Sequence, residues 1–470
     1  MTTEVLLVSS ILKILFVLVI TVGVFAPVLI WAERRQSAMI QDRLGPSRAA
    51  IPLPPSAVAF IDKARLPTWR GFALTGIVAI VALVAVTWVA FRGTNPLPIS
   101  TSALTMTLVV FGGASILLRV GYGVQGIIVR NKGKIMLLGL LHPVADALKF
   151  IFKEDFVPPK SDKFLFSAGP VIALVPAIAA FAVIPFASTL HLDYLNQVLP
   201  RTGEISGTAI PMQVASLNVG ILFIFAVAST GIIGAAISGY ASDNKFSLLG
   251  GIRAASQMVS YEVVLGLTLV PAFMVYHSLR LEDMAAWQHE HSWGIFNPLL
   301  AFGFIMFFTA AIAETKRVPF DLPEGESELV GGYLTEYSGM KFGMFFMGEF
   351  VEVVALAAIA SILFFGAWDV PFLYRDGFEF RLPFMASGFV VPLAHWIIIV
   401  IQVLFFLLKI VVFIWFQLMI RWTMPRFRYD QLMKLCWKGL LPLSLLNILF
   451  MGAFILSGAL GKWVALLDKF

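Results

Sequence analysis

Runs of roughly twenty apolar residues recur along this 470-residue chain, at about 5–31, 72–91, 104–129, 164–189, 214–240, 257–278, 297–314, 341–366, 389–420 and 440–461. Such a run matches the thickness of a bilayer core. In lipid every backbone N–H and C=O must be bonded within the spanning element, so each run is expected as a helix. The 104–129 run is the weakest, since it carries Arg119 and several glycines. With 59% hydrophobic residues and 42 Phe, a soluble core of this size would lack the polar residues to cover it. The expected fold class is all-α, a polytopic transmembrane helix bundle, with residues 1–470 forming a single integral membrane domain. The first run is too long for a signal-peptide core and has neither a basic start nor a clear cleavage site, so it is read as a retained helix.

Charge orients the bundle. With the N-terminus outside, the inside segments 32–71, 130–163, 241–256, 315–341 and 421–439 hold 24 of the 34 Lys and Arg. Basic residues favour the cytoplasmic side, so both termini are expected outside. The net charge of +6 then reflects these loops rather than nucleic-acid binding. A single cysteine, Cys436, permits no internal disulfide and no iron–sulfur cluster.

One inside segment is unusual. "FDLPEGESE" (Phe320–Glu328) sits in a loop that carries Glu314, Asp321, Glu324, Glu326, Glu328 and Glu336 against Lys316, Arg317 and Lys341. Phe320, Leu322, Leu329, Val330, Tyr333 and Tyr337 interleave with those charges. A purely solvated loop rarely needs so many large apolar groups, so a folded segment lining a cavity fits better. Within or beside the spans lie Glu262, Glu314, Glu349 and Glu352, the last two sharing one helical face. An ionised carboxylate in hydrocarbon costs at least about 3 kcal/mol, so such acids face a polar cavity or a partner. A lone acid is as readily a helix-end group paired with Arg or Lys. Four of them beside an acidic loop favour proton conduction.

Other stretches carry less. Leu137–Glu154 has apolar residues at helical spacing with His142, Asp146, Lys149 and Lys153 between them, and reads as an amphipathic interfacial helix over 137–154. "GYGVQG" (Gly121–Gly126) has the spacing of a dinucleotide fingerprint but lies in an apolar span, where small residues serve helix packing. "HEH" (His289–His291) lacks further ligands at metal spacing and is expected as a solvated outside loop, so no metal site is expected.

"AETKRVPFDLPEGESELVGGYLTEYSGMKFGMFFMGEF" (Ala313–Phe350) closely resembles the signature of the H subunit family of bacterial NADH–quinone oxidoreductase, respiratory complex I, whose mitochondrial relative is NADH dehydrogenase subunit one. Glu33–Arg48, His142–Asp155, Ala241–Gly266 and Arg421–Gly439 are similar to further family motifs. The resemblance implies about eight family helices. The segment of about 51–135 is a departure, expected as an inserted two-helix hairpin. Within the signature, Lys316 stands where Asn is usual, Val318 where Ala is usual and Gly325 where Ala is usual. The added lysine charge would lower the pKa of neighbouring acids.

The resemblance implies a membrane subunit that forms much of a quinone chamber and the acidic path coupling quinone reduction to proton translocation. Glu262, Glu314, Asp321, Glu324, Glu326, Glu328, Glu336 and Glu349 match family acids of that path, with Glu352 a weaker match. Glu33, Arg34, Asp146, Lys149 and Phe320 are assigned to the quinone chamber. The implied substrate is ubiquinone or menaquinone. Flavin and iron–sulfur clusters would sit only in partner subunits, and NADH would bind elsewhere in the complex. The implied partners are peripheral-arm and small membrane subunits, quinone and lipid, in the bacterial cytoplasmic membrane. Three alternatives remain: the equivalent subunit of a proton-pumping hydrogenase or formate hydrogenlyase, a stand-alone ion antiporter, and a structural membrane anchor.

Overall fold

A computed structural model describes residues 3–43, 45–46, 51–52, 54, 56, 134–135, 139–191, 209–374, 377–380, 389–393 and 395–467. The expected spans at 72–91 and 104–129, the Gly121–Gly126 stretch and most of the 51–135 insertion lie outside the described residues. The helices run in order α1 (Thr3–Leu18), a π-helical stretch Val19–Phe25, α2 (Ala26–Ile40), α3 (His142–Phe152), α4 (Lys163–Ala179), α5 (Gly220–Ala241) and α6 (Lys245–Tyr276). They continue with α7 (Leu281–Glu290), α8 (Pro298–Glu314), the single turn α9 (Glu326–Leu329), α10 (Gly339–Phe364) and α11 (His395–Thr423). The last are α12 (Tyr429–Lys434), a π-helical stretch Leu435–Leu440, α13 (Leu441–Leu456) and α14 (Ala459–Leu467).

Among the described residues, seven helical stretches are long and apolar enough to cross a membrane, and α8 is a shorter apolar helix of 17 residues. The chain is an all-α, polytopic membrane helix bundle, and each expected span in the described residues has its helix. The ends differ from expectation in several places: the first helical stretch continues to Ile40, the span expected to 189 is helical only to Val183, and the span expected from 214 starts at Gly220. The expected loop 241–256 is mostly the start of α6, because Asn244 caps it, its side-chain oxygen accepting from Phe246 N at 3.0 Å. The expected loop 421–439 likewise contains α12 and the π-helical turn that carries it into α13. The span expected from 389 begins only at His395, since Phe389–Pro392 pairs as a strand.

The chain divides into two compact units. One comprises 41–145 and 371–398; its described strands are β1 (Ile51–Pro52) paired with β2 (Lys134–Ile135), and an antiparallel meander. The meander consists of β5 (Leu373–Tyr374), β6 (Gly377–Phe380) and β7 (Phe389–Pro392), with Phe378 opposite Val391. The other unit comprises 1–40, 146–370 and 399–470 and holds the bundle, with one two-residue pairing of β3 (Leu190–His191) and β4 (Ala209–Ile210).

Small residues set the helix spacing. A Cβ at Gly234 of α5 would lie 2.7 Å from Ala173 N of α4, and one at Gly239 would lie 3.0 Å from Gly251 Cα of α6. Without side chains there, α4, α5 and α6 pack backbone to backbone, as small-residue interfaces do in lipid. α10 is the central element: from Val353 to Phe364 each of its residues is buried.

Candidate functional site

Uncharged groups make much of the contact that folds the acidic loop onto the bundle. Gln257 on α6 is fully buried, and its Nε2 donates to Ala313 O at 2.7 Å and to Phe320 O at 2.9 Å. Phe320 stacks on Phe427 with ring centres 5.3 Å apart, and Phe427 N donates to Pro319 O at 3.1 Å. A Cβ at Gly250 of α6 would lie 2.6 Å from Gly332 Cα and 2.7 Å from Tyr333 N, so loop and helix touch through bare backbone. Tyr337 stacks on Phe166 of α4 at 4.1 Å. These contacts drive Tyr333 into the interior, where it is 1% exposed.

There the site assembles. Lys316, with φ of +53°, follows the end of α8 and is itself buried. Its Nζ donates to Tyr333 Oη at 3.3 Å and lies 3.7 Å from Glu349 Oε1. Tyr333 Oη donates to Glu349 Oε1 at 3.0 Å. Glu314, Glu349 and Glu352 line the same cavity with Lys316 and Tyr333. Glu324 comes in from the loop with its Oε1 buried. Burial pushes the Glu324 carboxyl well above the usual carboxylate range, Glu349 and Asp321 push it further, and Lys316 pulls it down. Tyr333 is likewise raised, first by burial and then by Glu349 and Glu324. Such a group of mutually dependent carboxyls binds protons as a set.

A second cluster ties α2 and α11 to the start of the acidic loop. Glu33 accepts from Arg317 Nη1 at 3.3 Å through both oxygens and is also ion-paired with Arg421. The Arg317 guanidinium lies 4.1 Å from the centre of the Phe350 ring. Leu29, Ile414, Arg317, Phe350 and Arg421 line a neighbouring cavity. Arg34 pairs with Asp146 at 2.5 Å, tying α2 to α3.

The residues singled out in the sequence therefore separate. Glu314, Glu324, Glu349 and Glu352 converge with Lys316. Glu262 lies on α6, accepting from Ser229 Oγ of α5. Asp321 pairs with Arg426 at 2.9 Å and Glu336 accepts from Asn244 Nδ2 at 2.7 Å. Glu328 is 59% exposed and pairs with Arg253 at 2.8 Å. Glu326 has no described side chain, and Lys149 is exposed on α3. His289 does not sit in a solvated loop: it is on α7, with Nδ1 2.6 Å from Asp369 Oδ1. Among the described residues no three His, Cys, Asp or Glu side chains gather as a metal site. Gln257 and Arg421 are site residues that the sequence alone does not single out, and Tyr333 and Arg317 stand there only as an apolar and a basic member of the loop. Gln257 and Arg421 lie far from the acidic signature in sequence, and only the fold gives them their partners.

A multi-pass helix bundle with a titratable interior is the class these features define. Its relatives are specific. The sequence model of the family described as NADH dehydrogenase matches residues 113–452. The chain is 42% identical over 319 residues to the NADH-quinone oxidoreductase H subunit 2 of Koribacter versatilis, covering 67% of this chain and 84% of that one. It is 41% identical to the H subunit 1 of Cytophaga hutchinsonii, over 68% of this chain and 84% of the relative. With the H subunit 2 of Geobacter sulfurreducens the identity is 44%, over 67% and 82%. The chain belongs to this family, that of the NADH-quinone oxidoreductase H subunit.

Proposed function

We propose that this chain is the membrane subunit of a proton-pumping NADH–quinone oxidoreductase in which quinone reduction is coupled to proton translocation. On this reading electrons arrive from iron–sulfur clusters of a neighbouring subunit. Quinone takes two electrons and two protons and leaves as quinol. The apolar and aromatic surface near Phe320 and the Glu33, Arg34, Asp146 and Lys149 region belong to the quinone chamber. The acids from Asp321 through Glu324 and Glu349 to Glu314 and Glu262 carry the change in charge into the bundle, with Glu326, Glu328 and Glu336 contributing from the same loop. The partners are the peripheral-arm and membrane subunits of the complex, in the bacterial cytoplasmic membrane with both termini outside.

The observation that carries this reading is the buried contact of Lys316, Tyr333 and Glu349 beside Glu324, lining one cavity with Glu314 and Glu352. Burying that many ionisable groups costs stability, and such clusters concentrate where protonation serves function. Family membership favours the quinone enzyme over a hydrogenase-type subunit or a stand-alone antiporter.

The test replaces Glu324, Glu349 and Glu328 singly with Gln in membranes. NADH–quinone electron transfer and proton pumping are measured, with NADH–ferricyanide activity reporting assembly. Large losses at Glu324 and Glu349, with a smaller one at Glu328, support the reading. Unchanged pumping at Glu324 and Glu349 refutes it. Loss of assembly at all three makes the acids docking groups instead.

A further inference from the structure

Lys316 has no role assigned by the proposed coupling path, which runs through acids, yet it is among the most enclosed charges in the bundle. Both hydrogen bonds in its chain point one way. Lys316 Nζ donates to Tyr333 Oη, and Tyr333 Oη donates to Glu349 Oε1. Two donors in series ending on one carboxyl oxygen suit an anionic acceptor, since a protonated carboxyl would bring its own donor. The ammonium is 3.7 Å from that oxygen, inside ion-pair range, and both side chains are under a tenth exposed.

The surroundings supply more negative than positive charge. Glu314 faces the cavity from α8, Glu349 and Glu352 from α10, and Tyr333 from the loop, with Glu324 beside Glu349, while Arg317 is turned towards Glu33 and Glu262 towards Ser229. One ammonium neutralises one carboxylate. The remaining carboxyls of a low-dielectric cavity must then hold protons or share them.

We propose that Lys316 is a positioning residue for the acid row: through Tyr333 it fixes the row's resident negative charge on Glu349, so that an incoming proton is taken by another carboxyl. The pH range in which the row accepts that proton is then set by the lysine's charge, and a neutral residue at 316 moves it. This inference rests on the coupling function proposed above.

The experiment compares wild type, Lys316→Met, Lys316→Arg, Glu349→Gln and the Lys316→Met/Glu349→Gln double variant, all as assembled complex in membranes. Quinone reduction and proton pumping are followed from about pH 5.5 to 9, a range that reaches burial-raised carboxyls. Lys316→Met is expected to shift the pumping profile to higher pH by about one to three units, the range over which a neighbouring opposite charge moves a carboxyl. Lys316→Arg keeps the wild-type profile. The double variant pumps no worse than the weaker single, because the two residues act as one pair. A wild-type profile in Lys316→Met alongside an impaired Glu349→Gln overturns the role of Lys316 and leaves the coupling function standing. Normal pumping in Glu349→Gln instead overturns the coupling function itself. Matching losses in Lys316→Met and Lys316→Arg also overturn the inference, because shape rather than charge then matters. If Lys316→Met does not assemble, the double variant decides. Its assembly supports the pair, and its failure makes Lys316 a packing group.

Discussion

The backbone contact between α6 and the acidic loop can be tested with one substitution made at two places on the same helix. At Gly250 an added Cβ meets Gly332 Cα at 2.6 Å, Tyr333 N at 2.7 Å and Gly332 C at 2.8 Å. All three are backbone atoms, so no flexible side chain can yield. Ordinary contact begins near 3.4 Å, and the loop must retreat by the better part of an ångström. That retreat strains the Asn244–Glu336 and Arg253–Glu328 contacts and draws Tyr333 Oη off Glu349. Overpacking of this kind costs about 1–3 kcal/mol. At Gly266, fewer than five turns further along α6, a Cβ meets nothing within 4 Å. There alanine gains roughly 0.5–1 kcal/mol of helix preference. Gly250→Ala is therefore expected to cut quinone reduction and pumping and to lower the thermal midpoint of quinone reductase activity. Gly266→Ala is expected to match or exceed wild type. NADH–ferricyanide activity in the same membranes normalises for assembled complex. Full coupled activity in Gly250→Ala would refute the claim that the loop is held to α6 by bare backbone and that this contact places Tyr333.

Three further outcomes follow from the same contacts. Glu324 binds its proton more tightly folded than unfolded, so above about pH 4.5, its ordinary value, the native state binds more protons and stability falls as pH rises; Glu324→Gln removes that slope, and the thermal midpoint of the variant should gain on wild type between pH 5 and 8. Gln257→Leu removes one of the donors to Ala313 O and to Phe320 O, which keep Lys316 N at 3.3 Å and Leu322 N at 3.0 Å, at roughly 0.5–1.5 kcal/mol for each bond lost, and should reduce quinone reduction at equal ferricyanide activity. Lys409→Met removes the donor to Phe365 O, Ala367 O and Asp369 O at 2.6, 2.9 and 2.8 Å, and should lower the amount of assembled complex, with Lys409→Arg recovering part of it.

Most spans are legible in the sequence because a bilayer imposes one length and one solubility on every segment that crosses it. Helix ends are not, because the polar start of α6 is stabilised by the Asn244 cap and by tertiary packing rather than by lipid. Glu314 and Glu349 announce themselves as acids in apolar surroundings. The division within "FDLPEGESE" does not. Glu324 and Glu328 are one helical turn apart and chemically alike, yet one turns to Glu349 and the other to Arg253 at the surface. That choice depends on where α9 sets its single turn and on Gly332 and Gly250 meeting, which no local pattern records. The place of His289 is hidden for the same reason: its partner Asp369 is 80 residues away in sequence.

Buried Lys316 and half-buried Lys409 show how the same residue type serves the two halves of α10 differently. Lys409 closes the turn after Phe364, and its acceptors are three backbone carbonyls, groups whose charge does not change with pH. Asp369 in that turn is held by Trp293 Nε1 at 2.6 Å and by His289. Lys316 faces the other half of α10 and has carboxyls for neighbours. Gain or loss of a proton there changes the net charge beside Glu349, whereas the titratable groups near Lys409, Asp369 and His289, belong to the turn after α10 and not to the acid row. Neutralising Lys409 should therefore weaken assembly without moving the pH profile of pumping. Neutralising Lys316 should move the profile. If both variants shift it equally, the distinction between an anchoring lysine and a titration-setting lysine is wrong, and the acid row is governed by the total charge of the bundle rather than by the Lys316–Tyr333–Glu349 contact.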